Sequence, residues 1–197
     1  MKHDLSKLTP DIRKLNDMKA VIADQKWLKT TTDSDLYYMY RGLEEKDELR
    51  YDITVVPAQM LGSEFVKTKG HYHIGAWQEL YTVLEGESIY LQQKKNNNGD
   101  IEDVFAVRAK KGESVIMKPF YGHVTINPSK TEKLKMANWI SDKCKSDYSF
   151  FEKMQGACYY YTVNGWIKNE NYKSVPELRF EEPLKSIPQN LSFLKQD

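Results

Sequence analysis

Two cysteines, Cys144 and Cys158, are all the thiols in this 197-residue chain. They are too few for a disulfide framework, and no Cys-x-x-Cys spacing offers a thiolate clamp for a metal. Long apolar runs are missing too. The hydrophobic stretches end after a few residues, far short of the roughly twenty that span a bilayer. The opening Met1-Lys2-His3-Asp4-Leu5 has no apolar signal core. No charge dominates: Lys+Arg 29 against Asp+Glu 28 leaves +1, so no global field draws the chain to nucleic acid or an anionic membrane. The expectation is a cytoplasmic protein with reduced thiols and neither nucleic acid nor membrane as partner. Histidine is scarce at four residues, so any grouping of them is informative.

Tyrosine is abundant, with 13 in the chain. Phenolic rings can fill a core and still offer hydroxyls to a polar ligand. Residues 1–34 read as a mixed extension. Thr9-Pro10-Asp11 can open a short helix, with Thr9 as N-cap and Pro10 at the first helical position, and a second helical stretch can run from Met18 to Leu28. From Asp35 the pattern changes to short runs of strand-forming residues, such as Leu36–Tyr40, Tyr51–Val56 and Leu80–Leu84, separated by turn residues. Lys94–Asp100 is a hairpin loop with Asn-Gly near its tip. Strands at this spacing over residues 35–168 predict an antiparallel barrel or sandwich with short peripheral helices. Residues 169–197 form a tail; from Pro176 it has three prolines and little periodicity, and is expected to wrap the surface or a partner subunit.

The densest chemistry lies in Thr68-Lys69-Gly70-His71-Tyr72-His73, followed by Glu79 and Gly86. On an extended backbone His71 and His73 point the same way. Glu79 can join them if a new strand begins near it, and His123 offers a fourth ligand from a later strand. Such a nitrogen- and oxygen-rich set suits a divalent first-row ion such as iron, manganese, nickel or zinc. Lys67 and Lys69 flank the pair and are expected to face away from the metal.

Two motifs resemble those of the cupins: His71-x-His73-x5-Glu79-x6-Gly86, and Gly112-x6-Pro119-x2-Gly122-His123-x3-Asn127. The Thr68-to-His73 string is similar to the signature of the cupin-type glucose-6-phosphate isomerases. That resemblance runs from about Arg13 to about Lys168 and implies an all-β cupin barrel (jelly-roll) holding one metal ion, iron(II) first. It implies His71, His73, Glu79 and His123 as ligands. Thr54, Thr68, Gly70 and Tyr37 would hold a sugar phosphate, with Tyr81 and Tyr148 beside the sugar and Trp139 at a position where the family has tyrosine. Glu79 and Tyr81 would move the proton, or a hydride would shift between C1 and C2 with Glu79 chiefly a ligand, and the protein would be a homodimer. The residues leave open a cupin dioxygenase and a non-catalytic sugar-phosphate-binding cupin.

Overall fold

The computed structural model describes residues 3–195, so the outermost residues of the 1–34 and 169–197 segments lie outside it. In chain order the strands are β1 (Asp11–Lys14), β2 (Asp35–Lys46), β3 (Leu49–Val56), β4 (Met60–Leu61), β5 (Glu64–Phe65) and β6 (Tyr72–His73). Next come β7 (Glu79–Glu85), β8 (Glu87–Lys95), β9 (Ile101–Lys110), β10 (Ser114–Met117), β11 (Tyr121–Ile126) and β12 (Leu134–Ser141). Then follow β13 (Ser146–Asp147), β14 (Tyr159–Thr162), β15 (Gly165–Lys168) and β16 (Arg179–Glu181). One sheet has the order β1-β2-β3-β12-β7-β10 and a second β11-β8-β9-β16, with two small sheets at the side. The fold is all-β, built on these two main sheets.

Alternation explains how the barrel fills. In β7, Tyr81 and Val83 belong to the main apolar core, while Leu80 belongs to a smaller cluster outside it. The main core takes Tyr90 and Leu91 from β8, Phe105 and Val107 from β9, and Val124 from β11. The segment before β6 bridges to β11 at Lys67↔Ile126 and His71↔His123, linking the histidine pair to the second sheet.

Two readings of the N-terminal extension need correction. Thr9-Pro10-Asp11 does not open a helix; Asp11–Lys14 is a strand paired to β2, because an edge strand with unpaired amides outweighs a weak cap signal. Met18–Leu28 is not one helix but a 3-10 turn at Lys19–Val21 and a short helix at Gln25–Leu28, whose N-cap Asp24 accepts from Lys26 and Trp27 N–H. In the tail, Arg179–Glu181 pairs parallel with β9, and Leu184 bridges Ser114. Among the described residues, no helix is long and apolar enough to cross a membrane.

Candidate metal centre

His71, His73, Glu79 and His123 converge, each offering a ligand atom within 4.8 Å of the others. Their positions follow from backbone pairing. His71 and His123 exchange both backbone bonds, at 3.2 and 3.0 Å, so they sit directly opposite each other. His73 keeps the same face by the two-residue period, and its ring centroid lies 5.2 Å from that of His71. Tyr72, between them, turns to the other side, where its ring packs on Phe150 and Phe151 and its hydroxyl accepts from Gln93. Glu79 opens β7, as expected from the spacing.

The cluster is buried: Glu79 is 3% and His123 2% exposed. His73 Nε2 and His123 Nε2 each lie 3.3 Å from Glu79 Oε2, and none of these three atoms has a hydrogen-bond partner. An orphaned buried polar atom costs about 1–3 kcal/mol, so three facing one another form a poor end state unless a cation or proton sits among them. Ligands about 2.1 Å from one ion lie no more than about 4.2 Å apart, and a contraction of roughly half an ångström closes this set. His73 Nδ1 lies 3.2 Å from the Trp77 carbonyl, which fixes the tautomer and leaves Nε2 as the free lone pair. These residues fit a divalent ion.

Electrostatics divide the imidazoles: against burial, Cys144 and Glu79 push His73 up to about 10, while the other two go down. Burial, then the neighbouring His123 and His73, hold His71 well below the ordinary imidazole pKa. Burial likewise lowers His123, despite Glu79 beside it. For Glu79, burial works upward but is outweighed by the His123 and His73 imidazoles 3.3 Å away, so it stays ionised. Burial, with Glu79 next, pushes the Tyr81 phenol well up, so Tyr81 remains a neutral donor.

A cleft of about 660 Å³, open solvent included, lies over the cluster. Tyr37, Thr54, Thr68, Gly70, Tyr81 and Tyr148 all line it. Gly70 has φ +78°, and a Cβ there would meet the Phe151 ring at 2.8 Å, so close packing alone demands glycine. Thr68 Oγ1 accepts the Thr125 N–H at 3.0 Å and has its own O–H left to donate. Trp139 is the exception. Met136, Asn138 and Ile140 face the cavity, so alternation sends Trp139 outward onto Tyr51 and the Leu49–Leu80–Leu194 cluster. Trp139, expected beside the substrate, therefore does not line the cavity, and Asn138 lines it instead.

Lys69 does not face away. It lines the cavity, with Nζ 2.6 Å from Glu152 and 5.5 Å from the Tyr148 ring centroid. Arg41, Arg50 and Asp52 also line the wall and were missed, although stepping by two from Tyr37 and Thr54 along β2 and β3 reaches them. Arg13 carries no such signal.

With this geometry in place, the comparisons are informative. The sequence model described as Glucose-6-phosphate isomerase (GPI) matches residues 12–177. The chain belongs to that family. A glucose-6-phosphate isomerase of Thermococcus litoralis is 29% identical over 137 residues, covering 66% of this chain and 70% of that one. One from Pyrococcus furiosus is 29% identical over 122 residues, covering 59% and 62%. Among solved structures, a vicilin from tomato matches at TM-score 0.43 and 12% identity, over 58% of this chain and 31% of that one. An oxalate oxidase in complex with the substrate analogue glycolate matches at TM-score 0.40 and 16% identity, over 51% and 46%. The family membership makes the chain an isomerase, and its buried His/Glu cluster a candidate metal site.

Proposed function

We propose that the protein is a metal-dependent aldose–ketose isomerase interconverting D-glucose 6-phosphate and D-fructose 6-phosphate. The observation that carries this reading is the convergence of three imidazoles and one carboxylate at the floor of the cavity, in a chain of this family. His71, His73, Glu79 and His123 hold one divalent ion, iron(II) first and manganese, nickel or zinc as alternatives. When bound, such an ion supplies Lewis-acid polarisation of the sugar's C1 and C2 oxygens.

The chain's own groups do the rest. Glu79 is ionised and buried, and accepts a proton from one sugar carbon and returns it to the other. The neutral Tyr81 hydroxyl, beside Glu79 on the same strand face, gives its proton to the C1 oxygen and takes one from the C2 hydroxyl, so that the oxygen protons balance as well. Tyr37, Thr54, Thr68, Gly70 and Tyr148 place the sugar phosphate. The closed floor of the barrel keeps bulk water from the transferring proton. The protein acts as a cytoplasmic homodimer.

The test compares formation of glucose 6-phosphate from fructose 6-phosphate by EDTA-stripped and iron- or manganese-reloaded protein, with metal content read by mass spectrometry. Activity lost on stripping, regained on reloading and abolished in Glu79→Gln is expected. No turnover by fully loaded protein would end the isomerase reading. Sedimentation of the loaded protein checks the dimer, where a monomer at assay concentration removes that part.

A further inference from the structure

The chain has five arginines. Among the described residues, four are committed to carboxylates: Arg41 to Asp11 at 3.2 Å, Arg50 to Asp52 at 3.0 Å, Arg179 to Asp103 at 2.7 Å, and Arg108 to Glu87. Among the described residues Arg13 has no carboxylate at ion-pairing distance, and its Nε is buried with no hydrogen-bond partner. Arg13 donates to the Tyr37 hydroxyl, and the one carboxylate acting on it is Asp17, whose Oδ2 accepts the Lys14 N–H. An arginine that loses water without gaining a carboxylate is built for an anion brought from outside.

Its surroundings say which anion. Arg13 pairs with Tyr37 across β1 and β2 and lines the same cavity as the metal cluster. The Tyr37 hydroxyl accepts the Lys69 N–H at 3.2 Å and keeps its own proton to donate. Arg13 and Lys69 both approach the Tyr148 ring, at 5.9 and 5.5 Å from its centroid. That ring lies 5.4 Å from the His71 ring. One aromatic ring therefore separates a cationic end of the cavity from the imidazole end, a layout suited to a short polyol with its anion at the far terminus. Lys69 is half-spent on Glu152, which leaves Arg13 as the uncommitted charge.

We propose that Arg13 binds the phosphate monoester of the substrate by a forked pair of N–H donors, assisted by Tyr37 and Lys69. This rests on the sugar-phosphate reading above and gives it a residue of opposite charge, from the N-terminal strand. The anion-binding end is thereby built by the pairing of β1 to β2, not by the histidine-bearing segment alone.

The experiment uses the full chain as purified, with glucitol 6-phosphate as probe; it carries the monoester but no carbonyl to react. Calorimetric affinities are compared for parent, Arg13→Met and Arg13→Lys, with glucitol as the uncharged control. Arg13→Met is expected to weaken glucitol 6-phosphate about ten- to a hundredfold and to leave glucitol unchanged, the scale of one charged hydrogen-bonding partner. Arg13→Lys is expected to recover part of the loss, since it keeps the charge without the fork. For fructose 6-phosphate the same factor should appear in KM, with kcat nearly unchanged. Equal affinity for the phosphorylated probe in parent and both variants would overturn the proposal while leaving isomerase activity untouched. If the parent binds the probe through Arg13 but fails to isomerise, this inference stands and the isomerase reading falls. Should Arg13→Met not fold, Arg13→Lys decides: an unchanged affinity in that variant refutes the forked contact.

Discussion

Replacing Lys67 by methionine should destabilise the protein strongly, and in a way that depends on pH. Lys67 Nζ donates to Glu64, with side-chain exposures of only 5% and 1%. The ammonium also lies 4.7 Å from the Tyr160 ring centroid. Burial pushes the Glu64 carboxyl up, opposed by the charge and hydrogen bond of Lys67. In Lys67→Met the carboxylate keeps only the Ala23 N–H, at 3.2 Å. Its cheapest escape is to take a proton. Keeping it protonated at pH 7 costs about 1.4 kcal/mol for each of the roughly three pH units above an ordinary glutamic pKa, about 4 kcal/mol in all. That agrees with the roughly 3–5 kcal/mol seen when one partner of a buried pair is removed.

The sign follows from proton counting. Between the unfolded and the raised folded pKa, the folded variant binds the extra proton, so its stability falls as pH rises. Thermal and urea melts of parent and Lys67→Met at about pH 5.5, 7 and 8 should show the deficit shrinking by about 1.4 kcal/mol per unit of acidification. At neutral pH the midpoint should drop by roughly 10 °C for a domain of this size. Adding Glu64→Gln should recover most of the loss, since removing both charges leaves no buried orphan. A deficit below about 1 kcal/mol that is flat with pH would mean that water reaches the pair, and would refute the argument.

Other outcomes follow from the same structure. Gly122→Ala would place a Cβ 2.7 Å from Phe151 and closer still to Tyr72, behind the histidine pair, so a loss of about 1–3 kcal/mol is expected in urea melts, with lower retained metal. Trp139→Leu should lower the melting midpoint and leave KM for fructose 6-phosphate unchanged, whereas Asn138→Ala should raise KM; the reverse pattern would place Trp139 in the cavity. Arg179, with Tyr121, holds Asp103 at about 2, against burial working the other way. The unfolded chain thus binds the proton first, so this contribution is present above pH 4 and lost as pH falls through about 2, and Asp103→Asn should cost about 1 kcal/mol at neutral pH after screening at this partly exposed pair. Chelation should lower the melting midpoint in proportion to the affinity of the ion removed, checked by scanning calorimetry with and without EDTA.

The barrel and the convergent cluster were legible because both rest on the two-residue period. His71 and His73 share a face whatever their neighbours do, and the strand opening at Glu79 follows the turn before it. The phase of β12 was not legible. Asn138 falls in phase with Leu134, Met136 and Ile140, and Trp139 in phase with Lys135 and Ser141. Residue polarity and alternation thus point opposite ways at these two positions, and the Leu191–Leu194 region of the tail covers the outer face. Arg13 was beyond reach for another reason. Its place in the cavity comes from the register Arg13↔Tyr37, a long-range pairing that four weakly patterned residues do not encode. Lys69 was misplaced because Gly70, at φ +78°, breaks the extended run on which the alternation argument depends.

The reciprocal pairing of His71 with His123 ties chemistry to mechanics. Two candidate ligands from distant parts of the chain face each other through the same pair of amide bonds that fasten the Lys67–His73 segment to β11. Their backbones cannot separate without opening that ladder, so local unfolding here would break up the ligand set and release a bound ion. The exchange of these two amides with deuterated solvent would then serve as a clock for metal loss: slow in loaded protein, faster after chelation, and matched to the rate at which activity decays.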